Sequence, residues 1–129
     1  MQYSLLDRRP EEKALDLLQN HQISVLARGA FAQGLLAGKP AKSYLNYTAE
    51  EVSKAAQAVQ QLADNNRSAA EIAGGFVLAH SAVTSAVLGI RTAEQLQDAI
   101  QVANANPLVG NELEQLRDAL PANVYEQHR

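Results

Sequence analysis

Three helix starts in this chain are written alike, and short apolar runs lie among them. Thr48-Ala49-Glu50-Glu51, Ser68-Ala69-Ala70-Glu71 and Thr92-Ala93-Glu94-Gln95 each set a hydroxyl three residues ahead of an acid or amide. In such a capping box the hydroxyl accepts one orphan N–H while the acid or amide reaches back to the cap. Ile23-Ser24-Val25-Leu26-Ala27 and Val83-Thr84-Ser85-Ala86-Val87 are short and β-branched, as strands are, and Tyr3-Ser4-Leu5-Leu6 reads as another strand or the end of one. Strands separated by helices specify βαβ units and a parallel sheet, because parallel neighbours need a long crossover.

The remaining elements follow from local signals. Pro10-Glu11-Glu12 opens a helix, with Ala14, Leu15, Leu17 and Leu18 on its buried face and Asn20-His21 at its end. The helix capped by Thr48 runs to about Asp64 and buries Val52, Ala55, Ala56, Val59 and Leu62. Ile72 to His80 is an apolar helix, Ala93 to about Ala103 another, and Asn111 to Leu120 the last, stopped before Pro121. Arg28 to Gly34 and Pro40 to Tyr47 are loops, with a turn or helical stub between them, and the polar tail 122–129 is expected to fray. One α/β domain over residues 1–129 results, with about three parallel strands. So few strands leave the sheet incomplete, since parallel strands are ordinarily covered on their faces and paired on their edges.

Composition removes several function classes. The 129 residues amount to one domain, 47% of them apolar, and the net charge of −3 carries no electrostatic footprint for nucleic acid. No window reaches the length of a membrane-spanning run, and the first residues lack the order of a signal peptide, so a cytoplasmic location is expected. Without cysteine there is no thiolate nucleophile, cysteine-bound metal or disulfide. His21, His80 and His128 are too scattered for a metal site, and the first two sit at helix ends, where a cation complements the dipole. Arg8-Arg9 with Glu11-Glu12 reads as a solvated charged cluster. Leu35-Leu36-Ala37-Gly38-Lys39 lacks the residue order of a phosphate-binding P-loop.

One turn carries chemistry. After the strand run, Leu88-Gly89-Ile90-Arg91 leads into the helix capped by Thr92. A helix N-terminus offers unpaired N–H groups, and an arginine beside it adds a planar fork suited to phosphate. Alone, the turn reads either as an anion site or as a plain strand-to-helix connection with Arg91 in solvent.

Longer stretches resemble a known family. Ile23-Ser24-Val25-Leu26-Ala27-Arg28-Gly29-Ala30-Phe31-Ala32-Gln33-Gly34-Leu35-Leu36-Ala37-Gly38-Lys39 resembles the seventh strand and following loop of bacterial aldo/keto reductases. Ile72-Ala73 through Val77-Leu78-Ala79-His80 to Gly89-Ile90-Arg91-Thr92-Ala93-Glu94-Gln95-Leu96 resembles their last barrel helix, eighth strand and phosphate loop. Tyr3-Ser4-Leu5-Leu6-Asp7-Arg8 resembles the end of their sixth strand. The resemblance implies the C-terminal half of a TIM-type (β/α)8 barrel, whose full form takes about 250 residues.

It also implies part of an NADP(H) site. Arg28 and Gly29 would lie beside the nicotinamide, and Phe31, Gln33 and Gly34 would border the pyrophosphate. Gly89, Arg91 and Thr92 would meet the phosphate on the adenosine ribose, with Gln95 close by and Asp98 near the adenine. Three positions depart from the family pattern: Ala99 replaces asparagine, Ala30 replaces proline, and the glutamine that holds the carboxamide would precede Met1. The family's catalytic Asp, Tyr, Lys and His fall in the half that this sequence does not match. Tyr3, Tyr44, Tyr47 and Tyr125 lack the context of a proton donor. The expectation is a half barrel inactive by itself, alternatively a fragment of a full-length NADPH-dependent carbonyl reductase or a non-enzymatic interaction protein. Open strand edges imply a homo-oligomer or a complementary half barrel as partner, and neither nucleic acid nor membrane.

Overall fold

The computed structural model describes residues 1–127. Two strands, β1 (Val25–Arg28) and β2 (Val83–Val87), lie parallel, and five α-helices accompany them: α1 (Ala14–Asn20), α2 (Ala49–Leu62), α3 (Ala69–Leu78), α4 (Ala93–Asn104) and α5 (Gly110–Asp118). β1 and β2 are joined through α2 and α3, the crossover that parallel pairing requires. In register, Val25 faces Val83 and Arg28 faces Val87, with one irregularity between Val25 and Leu26. There the Thr84 hydroxyl accepts from the Val25 N–H at 3.3 Å, so the slipped residue still satisfies the ladder.

The expected third strand is a correction. Only Met1 to Tyr3 lie along β1: Arg28 N–H donates to Met1 O at 2.8 Å and Tyr3 N–H to Arg28 O at 3.1 Å, forming one isolated parallel bridge at Gln2. At Ser4 the chain turns, and Ser4 and Asp7 exchange backbone hydrogen bonds across the turn. Leu5 and Leu6 are buried as a turn that fills the core, which their apolar character alone could not distinguish from a strand.

The first helix also starts later than the proline suggests. Arg9–Glu12 forms a short 3-10 turn, Lys13 breaks it at φ −154°, and α1 begins at Ala14. Leu15 is fully buried and Leu18 partly so, whereas Leu17, expected inside, is 58% exposed. Two residues from Leu15, it points to the far side of a helix with about 3.6 residues per turn.

Sheet and helices enclose one core. Val25 and Ala27 point into it, while Leu26 and Arg28 face the open side of the sheet. α3 packs on β2 and α2, and α4 lies across α3. The Gly74-Gly75 pair makes these crossings close: a Cβ on Gly74 would stand 2.6 Å from Val102 Cγ1, and one on Gly75 would stand 3.1 Å from Leu108 Cγ. Arg8 and Arg9 are no solvated cluster. Arg9 grips the buried Asp7 with two hydrogen bonds of 2.7 and 2.8 Å, and Arg8 pairs with Glu11 at 2.9 Å. Within the tail, Asn123 is buried, accepts from Arg8 N–H at 2.8 Å and donates to Asn46 at 3.1 Å. His128 lies outside the described residues.

Candidate functional site

The two candidate loops leave the sheet at the same end. Arg28 closes β1 directly opposite Val87, which closes β2, so Gly29 and Leu88-Gly89 begin side by side. Carboxyl ends of adjacent parallel strands are where ligands settle in barrels and open α/β sheets, because the diverging loops leave a crevice there.

The first loop is held by left-handed backbone. Gly29 has φ +75°, and Ala32, Gln33 and Gly34 follow at +49°, +59° and +90°. Two consecutive non-glycine residues in this region are costly and persist only where surrounding structure imposes them. Ala32 is fully buried, and Gly34 O accepts from Lys39 N–H at 3.1 Å. The Lys39 stem crosses Gly34 so closely that a Cβ there would stand 2.7 Å from Lys39 Cδ. Gly34 therefore answers two demands, positive φ and room for Lys39. Sequence reading singled out Gly34 but missed Lys39; the only signal was the Gly38-Lys39 step that brings the chain back. Phe31 packs partly against the core, and Gln33 is exposed. Gln2 lies against Gly29, its Cγ 3.3 Å from where a Cβ would be, and donates to Tyr44 Oη at 3.0 Å.

The second loop is built by the start of α4. Thr92 Oγ1 accepts from Gln95 N–H at 3.1 Å, as a cap should. The Gln95 amide oxygen turns back one residue further than in a capping box and accepts from Arg91 N–H at 2.7 Å. This fixes the Arg91 backbone and leaves the N–H groups of Thr92, Ala93 and Glu94 without a partner among the described residues. The Arg91 guanidinium is exposed and makes no hydrogen bond or ion pair with them, and the same holds for Arg28. Gly89 has neither positive φ nor a neighbour within 4 Å of a built Cβ, so nothing inside the described chain calls for a glycine there. Asp98 follows Gln95 by three residues, on the same side of α4. Thus Gly89, Arg91, Thr92, Gln95 and Asp98 form one group and Arg28, Gly29, Phe31, Gln33 and Gly34 a second. Two surface grooves among the described residues, one between α2 and α5 and one around Arg67 and Asn104, involve none of these ten residues.

The tyrosines are structurally committed. Tyr3 donates to Glu11 at 2.8 Å and Tyr47 to Pro121 O at 2.8 Å, while Tyr125 lies under the Arg9 guanidinium. Burial pushes the Tyr3, Tyr44 and Tyr47 hydroxyls up from their ordinary range, the wrong direction for an activated phenol.

Comparison with known proteins decides the family. The aldo/keto reductase family model matches residues 1–121. The chain belongs to the aldo/keto reductase family. It is 41% identical over 138 aligned positions to the uncharacterized oxidoreductase YqkF of Bacillus subtilis, covering all of this chain and 44% of that protein. Among solved structures, it matches the holo form of aldo-keto reductase AKR11C1 from Bacillus halodurans with a TM-score of 0.87 at 38% identity, over 100% of this chain and 44% of the other. The glycerol dehydrogenase AKR11B4 of Gluconobacter oxydans shares the fold, with a TM-score of 0.80 at 22% identity over 99% of this chain and 44% of that one. The chain therefore spans under half the length of these relatives, and its fold is part of a barrel. Among the described residues, no helix is long and apolar enough to cross a membrane.

Proposed function

We propose that this chain is the portion of an NADPH-dependent aldo/keto reductase barrel that grips the adenosine-phosphate end of the cofactor. The observation that carries the reading is the unpaired Arg91 guanidinium, set beside a capped helix start and a glycine with no internal reason to be one. Arg91 would meet the 2′-phosphate, Gly89 would let it approach the backbone, and Thr92 and Gln95 would hold the turn in shape. Asp98 and the Phe31-to-Gly34 loop would flank the remainder of the dinucleotide. The nicotinamide end fits less well, because Gln2 fills the space beside Gly29 and Arg28 stands alone there.

Magnitudes favour the arginine over the helix dipole. The dipole contributes about 0.3–1 kcal/mol toward an anion, and Glu94 in the first turn already competes for it. A hydrogen bond to a charged group contributes about 1.5–3 kcal/mol. Discrimination for NADPH over NADH therefore rests on Arg91. When bound, the cofactor supplies hydride for reduction of a carbonyl compound. This chain's tyrosines supply no proton donor, so acid catalysis falls to the rest of the barrel and the chain alone does not turn over.

Titration followed by nucleotide fluorescence tests this reading. Wild type should bind NADPH at least about tenfold more tightly than NADH, and Arg91→Ala should remove that preference. Equal affinity for the two nucleotides in wild type contradicts it.

A further inference from the structure

A hydrogen-bond donor is left over on the open side of the sheet. Gln2 and Arg28 are partners in the parallel bridge beside β1, so their side chains leave on the same face, which Leu26 also faces. The Gln2 side chain lies along Gly29, and its Nε2 donates to Tyr44 Oη at 3.0 Å. Tyr44 thus accepts, and its own O–H has no acceptor among the described residues. Turning the Gln2 amide over would let Tyr44 donate to Oε1 and would free both Gln2 N–H groups instead. Either way the pair holds a donor that the described chain does not take up.

The charges around that donor leave one cation over. Asp7, Arg9 and Arg28 all bring their charges to bear on the Tyr44 hydroxyl. Asp7 and Arg9 cancel, because Arg9 holds the two Asp7 oxygens at 2.7 and 2.8 Å. Arg28 is exposed and has no ion pair among the described residues. Burial first, and the Asp7 charge next, raise the Tyr44 pKa, so the phenol keeps its proton at neutral pH and serves as a hydrogen-bond donor only. A guanidinium fork with a neutral donor beside it is what a carboxylate needs for its charge and its lone pairs. A single positive charge also balances a singly charged carboxylate, whereas a phosphate dianion would leave one charge over.

We propose that Arg28 and the Gln2–Tyr44 pair grip a carboxylate at the carboxyl end of the sheet, and that the carbonyl compound held there is an oxo acid. The grip stands on the geometry of this chain. That the carboxylate belongs to the substrate rests on the reductase reading, which sets Arg28 and Gly29 beside the nicotinamide. Arg28 supplies the charge, and the pair supplies direction. Tyr44 is buried, and it exchanges backbone hydrogen bonds with Tyr47 at 3.1 and 3.0 Å. Asn46 and Tyr47 in the same turn are tied to Asn123 at 3.1 Å and to Pro121 O at 2.8 Å. The donor is therefore in place before a ligand arrives, which spares the cost of ordering it on binding.

Amide NMR tests the grip, with the chain titrated by 2-oxobutanoate and by 2-butanone, its uncharged counterpart. The oxo acid should shift the Gln2, Arg28 and Gly29 backbone signals and the Gln2 side-chain amide saturably, binding at least about tenfold more tightly than the ketone. Arg28→Gln should erase that preference. Tyr44→Phe, which keeps the packed ring, should weaken the oxo acid about threefold to tenfold and leave the ketone unchanged. Circular dichroism verifies that both variants fold. Equal binding of acid and ketone overturns the grip, as does an Arg28→Gln variant that holds the acid as tightly as wild type. Inorganic phosphate that shifts the same signals at lower concentration than 2-oxobutanoate overturns the assignment to a carboxylate. Repeating the titration with NADPH present tests the substrate part, because substrate and cofactor must be held together. Oxo acid and NADPH bound at once support it, and competition between them overturns it. Absence of any NADPH response at Gly89 to Gln95 overturns the reductase reading and the substrate assignment with it, while the comparison of acid with ketone still decides the grip.

Discussion

Two adjacent glycines in α3 do different work. A methyl on Gly74 would strike the short, branched Val102 at 2.6 Å, whereas one on Gly75 would meet Leu108 at 3.1 Å, a contact that shifts of a few tenths of an ångström relieve. Gly→Ala in a helix otherwise gains up to about 1 kcal/mol. Gly74→Ala should therefore destabilise the chain by about 1–3 kcal/mol through overpacking, and Gly75→Ala should lie within about 1 kcal/mol of wild type, both read from urea unfolding. Tyr3 gives a pH test at the same scale. Burial, then the nearby Glu11 charge and hydrogen bond, raise its pKa above the unfolded value of about 10. The phenol thus binds its proton more tightly when folded. Its contribution to stability is complete below pH of about 10 and declines as pH rises further. Thermal unfolding from pH 8 to 11 should show a steeper alkaline loss in wild type than in Tyr3→Phe.

Among the elements, the capping boxes at Thr48 and Ser68 were fully legible, because both partners lie within four residues of chain and form as written. Val83–Val87 was legible for the same local reason. Thr92–Gln95 was half legible: the hydroxyl caps, but Gln95 reaches Arg91, and the spacing alone does not say which N–H an amide will choose. Thr92→Ala should cost about 1 kcal/mol by thermal unfolding and weaken NADPH without abolishing its binding. What sequence could not show was set by distant partners. Leu5 and Leu6 are apolar whether in a strand or a turn; Ser4–Asp7 pairing decides for the turn. The left-handed run at Ala32-Gln33 has no local signature, since neither residue prefers positive φ, and burial of Ala32 and return of Lys39 impose it. Arg8 and Arg9 looked solvated because spacing shows their acidic neighbours, Glu11 and Asp7, but not that Asp7 is buried.

At the scale of the whole molecule, one side is clasped and the sheet edge at β2 is open among the described residues. Asn123 ties Arg8 to Asn46, joining three distant parts of the sequence through one buried amide. Asn123→Ala leaves the Arg8 N–H unsatisfied and should cost about 1–3 kcal/mol in urea unfolding. The sheet stays open beyond β2, and both candidate loops stand at its carboxyl end, where the rest of a barrel would enclose them. Their convergence was legible only through family resemblance, since roughly sixty residues separate Gly29 from Gly89 and parallel pairing brings them together. The most direct test of the assignment is a backbone amide NMR titration with 2′,5′-ADP against 5′-AMP, which differ in the 2′-phosphate. In wild type, 2′,5′-ADP should shift the amides of Gly89 to Gln95 saturably, and Arg91→Ala should abolish that effect. Equal shifts from both nucleotides, or shifts confined to other parts of the chain, would contradict it.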